Sequence, residues 1–288
     1  MKVLVTGSNG QLGLSIKNQA GSFPTFHFIY TDVDELDITN IEKLKIFFQK
    51  NKIDALINCA GYTAVDKAET EREKAFLINA QGVKNLASLS NEFGYFLFHI
   101  STDYIFDGKK TNPYIESDSP NQLSIYGLSK FEGEKEIISL AKNAIILRTS
   151  WLYSEYGNNF VNTIQRLAKE RPELKVVSDQ VGTPTYAGDL AEAILKIISH
   201  KSDFSGVNIY HFSNEGVASW CDFAKAIVGM DNLSCKVTPI PTSEYPLPAI
   251  RPFYSILSKE KINKEFDINI PDWKESLKKC LDNMKTGY

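Results

Sequence analysis

The sequence predicts an α/β fold, a parallel doubly wound sheet with a smaller mixed part toward the carboxy terminus. Two observations carry the prediction. Four strand-like apolar runs in succession each lead into a helix-like stretch, the pattern of βα units whose right-handed crossovers bring the strand-end loops to one edge. The first of those loops is GSNGQLG, a glycine-rich turn between a strand and a helix. In open sheets of this kind ligands bind in the crevice beyond the carboxyl ends of the strands.

Composition narrows the function classes. The 288 residues are 43% hydrophobic and 23% charged, as in an ordinary soluble globular protein with ample core. A net charge of -3 gives no basic footprint, so no nucleic-acid partner is expected. No apolar run approaches the roughly 20 residues that span a bilayer, so no membrane partner is expected either. The opening MKVLVTG is too short an apolar stretch for a signal peptide. Cys59, Cys221, Cys235 and Cys280 are scattered without a CxxC pair, which reads as reduced structural thiols in a cytoplasmic protein and no metal.

Lys2 to Thr6 is β-rich and runs into Gly7, Gly10 and Gly13, with a helix expected over Gln11 to Gln19. Such a turn lets the backbone approach a pyrophosphate and aims a helix amino terminus at its charge. Gly7, Asn9, Gly10, Gln11, Leu12 and Gly13 are therefore expected to hold a dinucleotide; the plainer reading is a tight strand-to-helix connection. Phe26 to Tyr30 is the second strand. Beyond it Asp32 stands near where an acidic residue meets the adenosine ribose, while Asp37, followed by Ile38, would instead approach the adenine. Either alternatively caps a helix starting near Asn40, and the residues leave this open.

Ala55 to Cys59 is the third strand and ends at Ala60, Gly61 and Tyr62, a wall for a flat cofactor or a packing requirement between strand and helix. A polar helix with Asn79 follows, then a fourth strand from Tyr95 to Ile100 that delivers Ser101, Thr102 and Asp103 to its end. Tyr126 and Lys130, four apart in YGLSK, share one helix face. An ammonium beside a phenol favours the phenolate, which makes Tyr126 a better proton donor or acceptor near neutral pH. Thr102 would then bind the same substrate oxygen. An ordinary surface Tyr/Lys pair is the plainer alternative.

Ala144 to Leu147 is the fifth strand, followed by Trp151, a flat wall for a base or sugar or else buried packing. Leu174 to Val177 is another strand, and Asp189 marks a helix start. The alternation fades from about residue 205, where Pro239, Pro241, Pro246 and Pro248 mark loops around Arg251. The Arg251 fork matches phosphate oxygens, or is merely a surface charge. Trp273 to Met284 reads as a packing helix. These elements place a dinucleotide-binding domain over 1–150, with 173–205 returning to it and 151–172 and 206–288 forming the substrate part.

The segments TGSNGQLG, DELDIT, INCAGYTAVDKAE, HISTDYIFDG, YGLSKFEGE, LRTSWLYSEYGNNF, VVSDQVGTPT and PAIRP, spread over residues 6–252, resemble the extended short-chain dehydrogenase/reductases and, within them, the dTDP-4-dehydrorhamnose reductase family. The resemblance implies a Rossmann-type fold and NADPH or NADH as cofactor. It implies Thr102, Tyr126 and Lys130 as the catalytic set, Tyr126 and Lys130 also meeting the cofactor (Lys130 at the nicotinamide ribose), with Thr63, Val65, Asp103, Trp151 and Arg251 joining Thr102 and Tyr126 around a dTDP-sugar. The family reaction reduces the 4-keto group of dTDP-4-dehydro-6-deoxy-L-mannose to give dTDP-L-rhamnose, in a monomer or homodimer. Ser15 stands where some relatives use a glutamate to hold magnesium, so no metal is expected. The wall reads NCAGYT where NAAAYT is usual. Alternative readings are a reductase of another 4-keto nucleotide-sugar and a non-catalytic regulatory subunit like the beta subunit of methionine adenosyltransferase.

Overall fold

The computed structural model describes residues 1–200 and 204–286; residues 201–203 and 287–288, which fall in the expected segments above, lie outside the described residues. The first half alternates strands and helices. Strands β1 (Lys2–Thr6), β2 (His27–Thr31), β3 (Ala55–Asn58), β4 (Phe96–Thr102) and β5 (Asn143–Thr149) alternate with α1 (Gln11–Gln19), α2 (Ile41–Lys50), α3 (Val65–Ala68), α4 (Arg72–Phe76), α5 (Val83–Phe93) and α6 (Ile125–Leu140). A π-helical turn, Leu77–Gly82, joins α4 to α5.

The chain then makes β6 (Leu152–Tyr153), α7 (Phe160–Glu170), β7 (Glu173–Val177), β8 (Val181–Gly182), β9 (Thr185–Tyr186), α8 (Ala187–Ser199) and β10 (Gly206–His211). It ends with β11 (Ala218–Ser219), α9 (Trp220–Met230), β12 (Lys236–Ile240), α10 (Glu260–Phe266) and α11 (Trp273–Thr286). The central sheet has six parallel strands in the order β10-β5-β4-β3-β1-β2.

Both faces of this sheet are covered, so its strands are apolar at odd and even positions alike. Val3, Val5, Ile57, Phe98 and Leu147 pack under α1 and α8. Leu4, Leu56, Leu97 and Ile146 face Leu44 of α2 and Leu86 of α5. A second core gathers Tyr153, Val161, Phe223, Trp273 and Leu277 from β6, α7, α9 and α11.

Two placements differ from the sequence reading. The sixth strand of the sheet is β10, drawn from the stretch assigned to the substrate part, and it pairs with β5. Strand β7, expected to return to the dinucleotide-binding half, pairs instead with β12 in a separate two-stranded sheet. The cause is visible in β7 itself, where Glu173 and Lys175 face solvent while Leu174 and Val176 face the second core. A one-sided strand of this kind does not fit inside a sheet covered on both faces. Helix α8 does lie on α1 in the dinucleotide-binding half. The four cysteines are free thiols, and among the described residues no helix is long and apolar enough to cross a membrane.

Candidate active site

The glycine turn, the loops after β2 and β3, and the π-helical turn line an open cleft of about 710 Å³. Gly7 takes φ +64, and a Cβ there would stand 2.5 Å from the backbone nitrogen of Ala60, so only glycine allows this approach. Helix α1 has Gly10 as its N-cap, with no side-chain cap and no acidic residue in its first turn. Its amino-terminal N–H groups are thus left for an anionic ligand, as a dinucleotide pyrophosphate requires. Val33, Leu36, Ile38, Leu77 and Ile78 supply apolar walls, which suit a flat base.

At the rim, Asp32 accepts hydrogen bonds from the backbone N–H of Asn9 (2.9 Å) and of Val33 (2.8 Å). Asp37 accepts from the backbone N–H of Thr39 (2.9 Å) and its hydroxyl (2.8 Å). Neither caps α2, because Asn40 does so by accepting from the backbone N–H of Lys43. Both carboxylates line the cleft.

The cleft wall leads to α6. A Cβ on Gly61 would lie 3.9 Å from Lys130 Nζ. Ser124 caps α6 by accepting from the backbone N–H of Gly127. The helix seats closely because Gly127 and Gly133 face the carbonyl oxygens of Tyr104 and Asn79, where a Cβ would sit at 2.2 Å. Asn79 is itself locked in the π-helical turn. Its Oδ1 accepts from the backbone N–H of Tyr62 (2.8 Å), and its Nδ2 donates to the Tyr62 carbonyl and the Ser129 hydroxyl (both 3.0 Å).

Thr102 ends β4 and accepts from the backbone N–H of Tyr104 (3.2 Å), while its hydroxyl donates to Asp103 Oδ1 (3.1 Å). It also hydrogen-bonds the Tyr126 phenol. Tyr126 keeps part of its surface open, yet packing around its hydroxyl pushes the phenol up to about 12, opposed by the Thr102 hydrogen bond. The expected lowering by Lys130 is absent. Spacing puts both residues on one helix face, but the lysine, only 5% exposed, reaches across to the strand and donates to the Ile100 carbonyl (2.5 Å). Burial holds Lys130 down at about 8. Asp103 is buried and raised to about 7 by that burial, against the Thr102 hydrogen bond and the nearby Ser255 hydroxyl, and its Oδ2 has no hydrogen-bond partner among the described residues.

Contacts continue outward from this cluster on both sides. Tyr104 meets the Tyr126 ring edge-on at 5.4 Å and hydrogen-bonds Arg251. Arg251 forks onto Asp66 of α3, with Nη1 to Oδ1 at 3.0 Å and Nη2 to Oδ2 at 2.8 Å. That bond holds the Asp66 carboxyl below the usual carboxylate range. Ser255 meets Trp151 at Gly182, whose Cβ would lie 2.8 Å from each. Trp151 sits at φ 47 and stacks on Trp220, ring centres 3.6 Å apart and planes within 9°. One of its faces is therefore already covered.

Of the residues singled out from sequence, Gly7, Asn9, Gly10, Asp32, Asp37, Ile38, Ala60 and Gly61 line the cleft. Gly13 is a packing position, where a Cβ would stand 2.5 Å from Ser8 Cα. The Leu12 side chain is a core group beside Ile16, which leaves only its backbone to the turn. Gln11 turns away to accept from Ser154 and Asn159 (both 3.0 Å), and the Tyr62 ring packs with Ala68 and Ala75. Thr63 is exposed beside α3, and Val65 is half-buried at its start. Sequence reasoning missed Tyr104, Asp66, Ser255, Trp220 and His99. Tyr104, Asp66 and His99 lie inside quoted motifs and were within reach, whereas Ser255 and Trp220 carry no local signal.

A family model described as the RmlD substrate binding domain matches residues 1–286. The dTDP-4-dehydrorhamnose reductase of Aggregatibacter actinomycetemcomitans is 41% identical over 286 residues, 96% of this chain and 97% of that protein. The crystal structure of a dTDP-4-dehydrorhamnose reductase from Clostridium acetobutylicum superposes with a TM-score of 0.94 at 44% identity, covering 99% of this chain and all of the other. That of the Bacillus anthracis dTDP-4-dehydrorhamnose reductase in complex with NADP gives 0.93 at 40% identity, covering 98% and 99%.

Proposed function

The chain belongs to the RmlD substrate-binding family of dTDP-4-dehydrorhamnose reductases, and from that premise we propose that it reduces the 4-keto group of dTDP-4-dehydrorhamnose to give dTDP-L-rhamnose, using NADPH or NADH. The observation that carries the reading is a threonine beside a tyrosine on the same helix-and-strand unit as a buried lysine, whose amine lies next to Gly61 on the wall of the glycine-turn cleft. When bound, the nicotinamide supplies the hydride.

Tyr126 supplies the proton. Its O–H bond breaks, the proton passes to the substrate oxygen as that oxygen becomes an alkoxide, and a phenolate remains on the protein. A phenol raised to about 12 is fully protonated beforehand, and an alkoxide is the stronger base, so the transfer runs downhill. Thr102 holds the phenol in line, and Lys130, beside Gly61 on the cleft wall, is placed to hydrogen-bond the nicotinamide ribose. Asp103, Trp151 and Arg251 bound the sugar-nucleotide side, with Thr63 and Val65 at the α3 end. Four free thiols support a cytoplasmic setting. The deciding experiment is NADPH and NADH oxidation with dTDP-4-dehydrorhamnose, with the product identified by NMR; no turnover with either cofactor sinks the reading.

Two further outcomes are expected. Arg251→Ala removes the guanidinium proposed to meet the nucleotide-sugar, where a charge-assisted hydrogen bond is worth about 1.5–3 kcal/mol. KM for the nucleotide-sugar should rise roughly tenfold to a hundredfold, with kcat less affected, and an unchanged KM would remove Arg251 from substrate binding. EDTA should leave turnover unchanged. Ser15 is buried on α1 with its hydroxyl donating to the Gln11 carbonyl (2.9 Å), an arrangement that offers a divalent cation no carboxylate. Loss of activity restored by magnesium would overturn this.

A further inference from the structure

A buried polar row runs beneath the cleft across three neighbouring strands. Thr6, Asn58 and His99 are register partners on β1, β3 and β4. Asn58 Oδ1 accepts from the Thr6 hydroxyl (2.7 Å) and from the backbone N–H of Ala60 (3.2 Å). A backbone N–H can only donate, so it fixes which end of the amide is oxygen. The amide nitrogen therefore faces His99 Nδ1 (3.0 Å) and donates to it. His99 Nδ1 is thereby the acceptor, and the neutral ring carries its hydrogen on Nε2. That nitrogen faces Lys130 Nζ at 3.4 Å.

The row is fully satisfied in one protonation state only. As a neutral amine, Lys130 accepts from His99 Nε2–H and donates to the Ile100 carbonyl. As an ammonium it meets the positive end of an N–H dipole in a low-dielectric interior. An imidazolium at His99 would clash with Asn58 and Lys130 together; burial and the nearby Lys130 charge hold His99 well below the usual histidine range. The other ionisable groups around Lys130 are Cys59 at the end of β3, and Tyr126 and Glu134 one turn to either side on α6. Burial keeps the Cys59 thiol protonated, and Glu134 is engaged by Arg148.

We propose that His99 is a positioning residue of the reduction: fixed by Asn58 as the Nε2–H tautomer, it turns an N–H dipole on Lys130, keeps that side chain poised between ammonium and amine, and so sets the pH above which reduction fails. The proposal rests on the reductase reading. The Lys130 ammonium, a charge-assisted donor at the cleft wall beside Gly61, is present below its value of about 8 and lost above it. kcat/KM should accordingly fall as pH rises through that value.

Three measurements test this on the full-length protein. Nitrogen-15 NMR of the His99 ring should show the neutral Nε2–H form across the neutral range; an Nδ1–H ring or an imidazolium overturns the proposal. Carbon-13 NMR of the Lys130 Cε in the cofactor-free protein should titrate near 8, and a midpoint at the ordinary lysine value of about 10.4 overturns it. In His99→Phe both that midpoint and the alkaline limb of kcat/KM should move up by about one pH unit, a tenfold change in acidity. A variant that only lowers the plateau, leaving the limb in place, shows a merely structural histidine. If His99→Phe does not fold, the two measurements on the unmodified protein decide. Absence of any turnover would sink the reductase reading while the NMR results still judge the role of His99.

Discussion

Tyr126→Phe is expected to lower kcat at least about 10²-fold while leaving dinucleotide affinity and fold intact, because positioned proton transfer contributes about 10²–10⁴-fold in rate. The substitution removes one oxygen and little else. The ring keeps its edge-on contact with Tyr104, and α6 keeps its Ser124 cap and its close seat on Tyr104 and Asn79. Thr102 loses one partner but retains Asp103 and the backbone N–H of Tyr104, so no buried hydroxyl is stranded. The glycine turn and the apolar walls of the cleft contain no part of Tyr126, which is why cofactor binding should survive. Steady-state turnover with a titration of NADPH binding separates the two effects. A rate within about threefold of the parent would take Tyr126 out of the chemistry.

What the sequence made legible was local. The span of α1 and the delivery of Thr102 and Asp103 to a strand end follow from short-range pattern, since strand periodicity and glycine turns are properties of a few adjacent residues. What stayed hidden was set by distant partners or by the far end of a flexible side chain. The spacing of Tyr126 and Lys130 fixes a shared helix face, but not that a four-carbon stem carries the amine to Ile100. Arg251 was picked out by its chemistry, yet its partner Asp66 lies 185 positions away. Trp151 was picked out as a wall, and nothing near it in sequence announces that Trp220 covers one face. The displacement of β7 was half legible, since Glu173 and Lys175 alternate with Leu174 and Val176 as in a one-sided strand, but that β10 takes the place beside β5 is set by tertiary packing.

Glu134→Ala is expected to destabilise the fold by about 3–5 kcal/mol, the usual result of removing one partner from a buried ion pair. Glu134 and Arg148 are 0% and 2% exposed, and the arginine donates from Nε and Nη2 to the carboxylate, at 2.7 Å for the shortest contact. A guanidinium cannot shed its proton at any ordinary pH, so the orphaned charge stays. The remaining neighbours compensate poorly. Nη1 already faces the Glu116 carbonyl and His211, and the Glu116 carboxylate is engaged with the backbone N–H of His211. The midpoint of urea unfolding should drop without a change in slope. Replacing both partners, Glu134→Leu with Arg148→Met, should recover most of the loss, since an apolar pair of similar volume often matches a buried ion pair. A single variant as stable as the parent would mean that Arg148 finds another acceptor or that water reaches it. The same carboxylate is the strongest charge supporting the Lys130 ammonium. Where Glu134→Ala still folds, the alkaline limb of the reduction should therefore shift to lower pH, opposite to the shift expected for His99→Phe. Two substitutions on either side of one lysine would then move a single ionisation in opposite directions, which loosened packing at the site cannot imitate.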